Sequence, residues 1–293
     1  MKKLGIVSLE SSHVDVFCRI FNHDEEEWHV PGARVVALCP QDNPPERIAE
    51  LRGKYGVDRV VSAPEDLVPL VDAALVLGRD GGRHAEQALP FLLAGKPCFV
   101  DKPLALTVED ADAMLRASEE AAAPLMSCSA IRYSLELEAA RDRIAALGEV
   151  RHCGLCGPGE LFFYGVHLAD LLVSLMGAGA QAVADLREEA ADLVTVSYGD
   201  GRTAVLQVLR GAAVGFHAQL VGTEGRLETE LADAHFYRAC MSAFAQMLKT
   251  GQAPISHDEM REVVTLLVAA DRSARQGGRP VRRAEVFPEL PAF

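Results

Sequence analysis

The run Gly95-Lys96-Pro97-Cys98-Phe99-Val100-Asp101-Lys102-Pro103-Leu104-Ala105 holds the clearest chemical signal in this chain of 293 residues. It reads as a helix end, a buried strand, and an acid–lysine–proline at the strand's carboxyl end. In an open α/β sheet that edge is where ligands bind. Pro103 fixes its own φ and removes a donor, so the loop carrying Lys102 is expected to be stiff. A stiff loop can hold an ammonium where it polarises or deprotonates a hydroxyl or carbonyl. Tyr164, His167 and Asp170 form a second group, spaced by three so that they share one helical face, around an imidazole that titrates near neutrality. Taken singly, a loop lysine is most often solvated, and a histidine near a helix start is most often satisfied by backbone or water.

Weaker signals surround these two. Ser127-Cys128-Ser129-Ala130-Ile131-Arg132-Tyr133 follows a short strand, and Arg132 is a candidate contact for a substrate anion or a surface ion pair. Ser8, Ser11, Ser12 and His13 lie between the first strand and the first helix, where a helix N-terminus can bind an anion. Cys153 and Cys156 make a lone CxxC inside an expected strand, which reads as structural rather than as a zinc or redox pair. No metal site is expected.

The elements that must position these groups follow from periodicity. Residues 3 to 127 alternate β-branched runs (4–7, 34–38, 59–61, 72–77, 97–100, 125–126) with helical patterns (14–21, 46–55, 65–70, 83–93, 108–121). Alternation at this spacing implies βαβ units and a doubly wound parallel sheet covered on both faces. Beyond about residue 148 the pattern changes. A strand at 149–156 and a helix at 164–176 precede strand candidates at 181–186, 192–198, 203–209, 214–222 and 226–230, separated by turns such as Tyr198-Gly199-Asp200-Gly201. These predict an antiparallel sheet, closed by helices at 237–249 and 258–276. The division expected is a Rossmann-like domain over 1–127 and an α+β domain over 128–293, with the final helix a candidate to pack back on the first.

Composition narrows the function classes. The formal net charge is −13, which disfavours nucleic acid and anionic membrane as partners, because phosphate attraction needs clustered Lys and Arg. The acidic run Asp24–Glu27 is read as a solvated turn. No apolar stretch reaches the roughly 18 residues of a membrane span, and Glu10 ends the first apolar run too early for a signal peptide. Seven cysteines, an odd number, do not suggest a disulfide framework. A cytoplasmic protein acting on a small molecule is the expectation.

The segment from Ala94 to Ala105 resembles the AGKxVxxEKPLA signature of the glucose–fructose oxidoreductase / inositol dehydrogenase / rhizopine catabolism family. His84 ahead of it, Gly165-Val166-His167 with Asp170 (similar to the family's GxHxxD), and Ser273-Ala274-Arg275-Gln276-Gly277-Gly278-Arg279-Pro280-Val281 match in the same order. The resemblance implies an NAD- or NADP-dependent oxidoreductase acting on a sugar, polyol or related hydroxy compound. Lys102 and His167 would be its catalytic pair. Ser8, Ser11, Ser12, His13, Asp42, Asp101 and Lys102 would lie at the cofactor, and Arg132, Tyr164, His167 and Asp170 at the substrate. It also implies a homo-oligomer formed through the C-terminal sheet.

Three departures stand beside the resemblance. The first turn, Ser8-Leu9-Glu10-Ser11-Ser12-His13, lacks the glycines of GxGxxG that let a backbone approach pyrophosphate, is about three residues shorter, and carries Glu10. The second strand ends Leu38-Cys39-Pro40, with Asp42 displaced from the usual position of the ribose acid. Phe163 stands four residues before His167, where the family commonly has an aspartate. A dinucleotide site that is weak or unusual, or a catalytically silent relative that binds a small ligand, is the alternative these departures raise.

Overall fold

The computed structural model describes residues 1–232 and 235–286. The chain divides into two compact units, the first comprising Met1–Ala105, Glu109–Cys128 and Tyr237–Ser256, the second Leu106–Val108, Ser129–Phe236 and the residues from His257 on.

In the first unit the elements run β1 (Lys2–Val7), α1 (Ser12–Asn22), β2 (Ala33–Cys39), α2 (Pro45–Tyr55), β3 (Arg59–Val60), α3 (Pro64–Leu67), β4 (Ala73–Val76), α4 (His84–Leu93), β5 (Cys98–Val100), α5 (Val108–Glu120) and β6 (Leu125–Met126). All strand pairs are parallel, in the order β3-β2-β1-β4-β5-β6. This is the doubly wound order in which the chain reverses direction of sheet growth between β1 and β4, leaving a crevice at their carboxyl ends. The strands are apolar on both faces because helices cover both: Leu4, Ile6, Val7 and the whole of β4 and β5 are buried. Asn22 ends α1 inside this packing. Its side chain donates to the Val35 and Tyr55 carbonyls and accepts from the Val35 amide, each at 2.9 Å, so one buried amide ties helix, strand and the next helix together.

The second unit holds α6 (Leu135–Ala145), β7 (Val150–Pro158), α7 (Val166–Met176), β8 (Ala180–Glu188), β9 (Ala191–Tyr198), β10 (Thr203–Leu209), β11 (Phe216–Gly222) and β12 (Arg226–Leu231). Then α8 (Phe236–Thr250) lies almost wholly in the first unit, and α9 (His257–Arg275), β13 (Val281–Arg282) and α10 (Arg283–Val286) in the second. The long helix grouped with the first unit is therefore α8, whereas α9 stays with the second sheet.

That sheet has seven strands in the order β12-β11-β7-β10-β9-β8-β13, and it departs from the expected antiparallel pattern at one pair. β7 and β10 are parallel, Thr203 opposite His152 through Leu209 opposite Pro158. The helix α7 carries the chain back before β8 begins, so β7 and β8 point the same way; the β8–β9–β10 meander then returns β10 in that direction beside β7. Sequence periodicity also missed α6, whose face is poorly segregated but whose N-terminus is capped by Ser134 at the Leu137 amide, and the short β13 on the sheet edge. Cys153 is buried and Cys156 half-buried; three residues apart on a strand, they point to opposite faces, so they cannot clasp one metal or form one disulfide. No helix among the described residues is long and apolar enough to cross a membrane.

Replacing Asn22 by Ala removes three buried hydrogen bonds and orphans their backbone partners. The expected loss is about 2–4 kcal/mol, read as a drop in the urea midpoint with the slope unchanged.

Candidate functional site

In the first unit, the carboxyl ends of β1, β4 and β5 bring together Ser8, Gly78 and Asp101. Asp101 is only 4 % exposed. One of its oxygens lies 2.7 Å from His13 Nδ1, and the other accepts from the Lys102 amide at 2.8 Å. His13 Nε2 meets the Tyr237 hydroxyl at 3.2 Å, and its ring stacks on Phe17. A carboxylate only accepts, so Nδ1 carries the hydrogen toward Asp101. Burial pushes the Asp101 carboxyl up, but the His13 and Lys102 charges and hydrogen bonds together hold it below the ordinary range. Lys102 is half-buried. Burial lowers its ammonium pKa, the Asp101 charge opposes this, Arg79 adds to it, and the net direction is down. The chain enters Pro103 through a cis peptide bond. His84, fully buried, stands between the Pro103 and Gly78 carbonyls, 2.9 Å from each, and so links the loops after β5 and β4.

The turn after β1 does without glycine in a specific way. Ser8 takes up the left-handed conformation, φ 66°, that glycine would otherwise supply. Its amide donates to the Cys39 carbonyl and its hydroxyl accepts from Gln87 Nε2 at 3.0 Å. Ser11 caps α1, accepting from the His13 amide, and Ser12 is exposed on the first turn of the helix. Glu10, exposed, accepts from the Arg79 amide at 2.9 Å. Gln87 is buried, yet its Oε1 has no hydrogen-bond partner and lies 3.2 Å from where a Cβ on Gly78 would stand. Asp42, placed at the adenosine end by the resemblance, is 86 % exposed and paired with Arg83 at 2.6 Å, while Gln41 also accepts from Arg83.

In the second unit a π-helical turn, Leu161–Gly165, leads into α7 and presents His167 two residues later, in the helix's first turn. Such widened turns are frequent at functional sites. Gly165 is needed where it is, since a Cβ there would meet Val208 at 3.0 Å. His167 Nδ1 lies 2.7 Å from the Ser129 hydroxyl, and its ring sits 5.9 Å from Tyr164 and 5.3 Å from Phe216. Gly157 makes room for that phenyl ring: a Cβ on it would come within 2.7 Å of Phe216. Asp170 and Arg132 are both buried, their nearest atoms 3.4 Å apart, and Arg132 also binds Glu259 at 3.1 Å. Burial raises the Asp170 carboxyl to about 6, against the pull of Arg132 and the Ser129 amide, with Glu259 adding to the rise. So Arg132, Tyr164, His167 and Asp170 do cluster, while Lys102, Asp101, His13, Ser8 and Ser11 cluster separately on the first unit. Sequence reasoning overlooked Ser129, Tyr237, Gln87 and Glu259. Only Ser129 left a local trace: its hydroxyl accepts from the Ile131 amide at 3.2 Å, a capping pattern readable as Ser-x-Ile ahead of a short helical turn. Among the described residues no group of His, Cys, Asp and Glu is arranged to hold a metal ion.

Comparison with known proteins agrees with this geometry. Residues 15–128 match the model of an oxidoreductase family with an NAD-binding Rossmann fold. The chain is 28 % identical over 218 residues to 1,5-anhydro-D-fructose reductase of Ensifer adhaerens, covering 73 % of this chain and 64 % of that one. It is 35 % identical over 113 residues to inositol 2-dehydrogenase of Paracoccus denitrificans, covering 34 % and 30 %. The chain thus spans less than two thirds of these relatives' lengths. In fold, it superposes on scyllo-inositol dehydrogenase of Lactobacillus casei with a TM-score of 0.85 at 16 % identity, covering 97 % of this chain and 98 % of that one. The same enzyme with bound NAD(H) and scyllo-inositol gives 0.82, again at 16 % identity, covering 97 % and 99 %. These relatives are by name reductases and dehydrogenases; none supports the catalytically silent alternative.

The Asp170 carboxyl makes a directional prediction. Its folded pKa, about 6, lies above the ordinary 3.8, so between those values the folded chain holds a proton that the unfolded chain has lost. Stability therefore falls as pH rises from about 4 to 6. Asp170→Asn is expected to flatten that fall by up to ~1.4 kcal/mol per pH unit, as measured by urea midpoints at each pH.

Proposed function

From the premise that the chain belongs to the glucose–fructose oxidoreductase / inositol dehydrogenase / rhizopine catabolism family, we propose that it is an NAD- or NADP-dependent oxidoreductase acting on a sugar, polyol or related hydroxy compound. The observation that carries this reading is the placement of Lys102. Its backbone is held by Asp101, its loop is pinned through Pro103 by His84, and its ammonium stands at the carboxyl edge of β5 with its pKa lowered.

The residues at the β1–β4 crevice fit a dinucleotide. The N-terminus of α1 offers amides and partial positive charge. The buried Gln87 Oε1, lacking a donor, suits a ribose hydroxyl or a bridging water, and the absent side chain of Gly78 keeps the approach to it open. The nicotinamide, when bound, supplies or accepts the hydride. The protein's part is to hold the substrate oxygen and move its proton, and Lys102 and His167 share that task. Tyr164, Arg132 and Asp170 shape the ground around His167. By the resemblance Asp42 would stand toward the adenosine ribose, where it pairs with Arg83.

A homo-oligomer through the second sheet belongs to the same reading. The open face from β8 to β11 is uncharged across Ala184, Leu186, Leu193, Thr195, Val205, Gln207, Gly154, Cys156 and Gln219, and Leu186 is 55 % exposed. A patch of that kind is a candidate interface.

Three measurements test the proposal. Lys102→Ala is expected to lower kcat on a sugar and polyol panel by roughly 10²-fold or more while cofactor affinity changes little, and His167→Ala to lower it by a similar factor; turnover that survives both changes defeats the site assignment. Glu10→Gln keeps an oxygen for the Arg79 amide but removes a charge beside the crevice, so calorimetry should show NAD binding tightened by roughly 3- to 10-fold at low salt, an effect that shrinks as salt is added. Light scattering at micromolar concentration should show an oligomer that Val205→Glu dissociates.

A further inference from the structure

Ser129 follows β6 and is fully buried. A hydroxyl has one hydrogen and two lone pairs. The Ile131 amide donates to its oxygen at 3.2 Å, and His167 Nδ1 lies 2.7 Å away. With a lone pair already used and no water-exposed direction open to it, the hydroxyl hydrogen finds its acceptor in the lone pair of Nδ1. A neutral imidazole that accepts at Nδ1 carries its own hydrogen at Nε2.

A carboxylate in that place would do the opposite. It can only accept, so it would hold the hydrogen on Nδ1 and leave Nε2 with a lone pair, the form that serves as a base toward a substrate hydroxyl. Asp170 does not take this role; its carboxylate is directed to Arg132. Four residues before His167, Phe163 offers no proton acceptor.

We propose that Ser129 is a positioning residue that holds His167 with its hydrogen on Nε2, and that the site is therefore matched to a substrate presenting a carbonyl oxygen, a keto sugar or keto polyol, rather than a hydroxyl to be deprotonated. This deepens the proposed function and rests on its placing the reacting oxygen at Nε2. In the step implied, the carbonyl carbon gains a hydride from the reduced nicotinamide and the C=O π pair moves onto oxygen. His167 Nε2–H stabilises that oxygen by a hydrogen bond, and the Lys102 ammonium supplies its proton. The nicotinamide is oxidised, the substrate becomes a secondary alcohol, and Lys102 regains a proton from water.

The test uses the full chain labelled with 15N at histidine, with His167 assigned by the signal lost in His167→Gln. Long-range 1H–15N spectra at a pH where the ring is neutral should show Nδ1 as the bare nitrogen and Nε2 as the protonated one. Ser129→Ala should mix or reverse the two and lower kcat for carbonyl reduction on the order of 10-fold, about one hydrogen bond's worth, while the KM for the cofactor holds. Ser129→Thr, which keeps the hydroxyl, should restore both the tautomer and the rate. A wild-type ring protonated at Nδ1 overturns the assignment whatever the activity. A ring protonated at Nε2 with turnover of polyols exceeding that of their ketones overturns the substrate class. If the ring is protonated at Nε2 but neither class of substrate turns over, the proposed function fails while the role of Ser129 in holding the tautomer stands.

Discussion

Burying the carboxylate of Asp101 at the end of β5 is the constraint on which the first unit's chemistry depends. An ionised carboxylate removed from water must recover its solvation from charged or hydrogen-bonding partners. Here the partners are the imidazole of His13, in the first turn of α1, and the amide of Lys102. Satisfying one buried charge therefore fixes two other things: how α1 begins, and where the lysine loop turns. Tyr237 completes the shell from α8, a late helix of the same compact unit whose buried Phe244 packs edge-on against Phe99 of β5. His84 extends the bracing by linking the Pro103 loop to Gly78.

The turn after β1 shows how a fingerprint can be lost without the geometry going with it. Glycines normally serve there because the backbone needs a left-handed residue and close approach. Ser8 meets the first need at its own conformational cost, offset by the bonds its amide and hydroxyl make to Cys39 and Gln87. The second need is met across the crevice, where Gly78 rather than the first turn leaves space. Glu10 braces the two loops by its bond to the Arg79 amide, and that bond sets a negative charge beside the opening.

In the second unit the burden falls on packing around α7. The π-helical turn, Gly165 against Val208, and Gly157 beneath Phe216 set the pitch and depth at which His167 is presented. Farther along the sheet, the buried Asp185 and Asp192 are bridged by Arg187 and Arg210, and Glu262 accepts from the Gly179 and Ala180 amides. These are costs of burial balanced locally, and they hold α9 and the start of β8 in place.

Alternation of strand and helix in the first 127 residues determined the parallel sheet, because a short continuous apolar run followed by a 3.6-period run can bury both its faces in few other ways. The strand at 97–100, with an acid and a lysine after it, likewise determined that Lys102 would stand at the ligand-binding edge, since strand direction alone decides that. Local capping and packing were enough for most of the helices, but α6 escaped notice because its polar and apolar residues are scarcely segregated. What the tertiary structure alone decided depends on long-range contacts. The parallel pairing of β7 with β10 follows from how α7 returns the chain, which no local period encodes. The side chains that meet those of His13, Asp101, Gln87 and His167 in these hydrogen bonds lie from 38 to 224 residues away along the chain. A hydroxyl rather than a carboxylate at His167 Nδ1 was invisible in the sequence for the same reason: a hydrogen-bond partner is chosen by proximity in the folded chain, and spacing along the sequence carries no record of it.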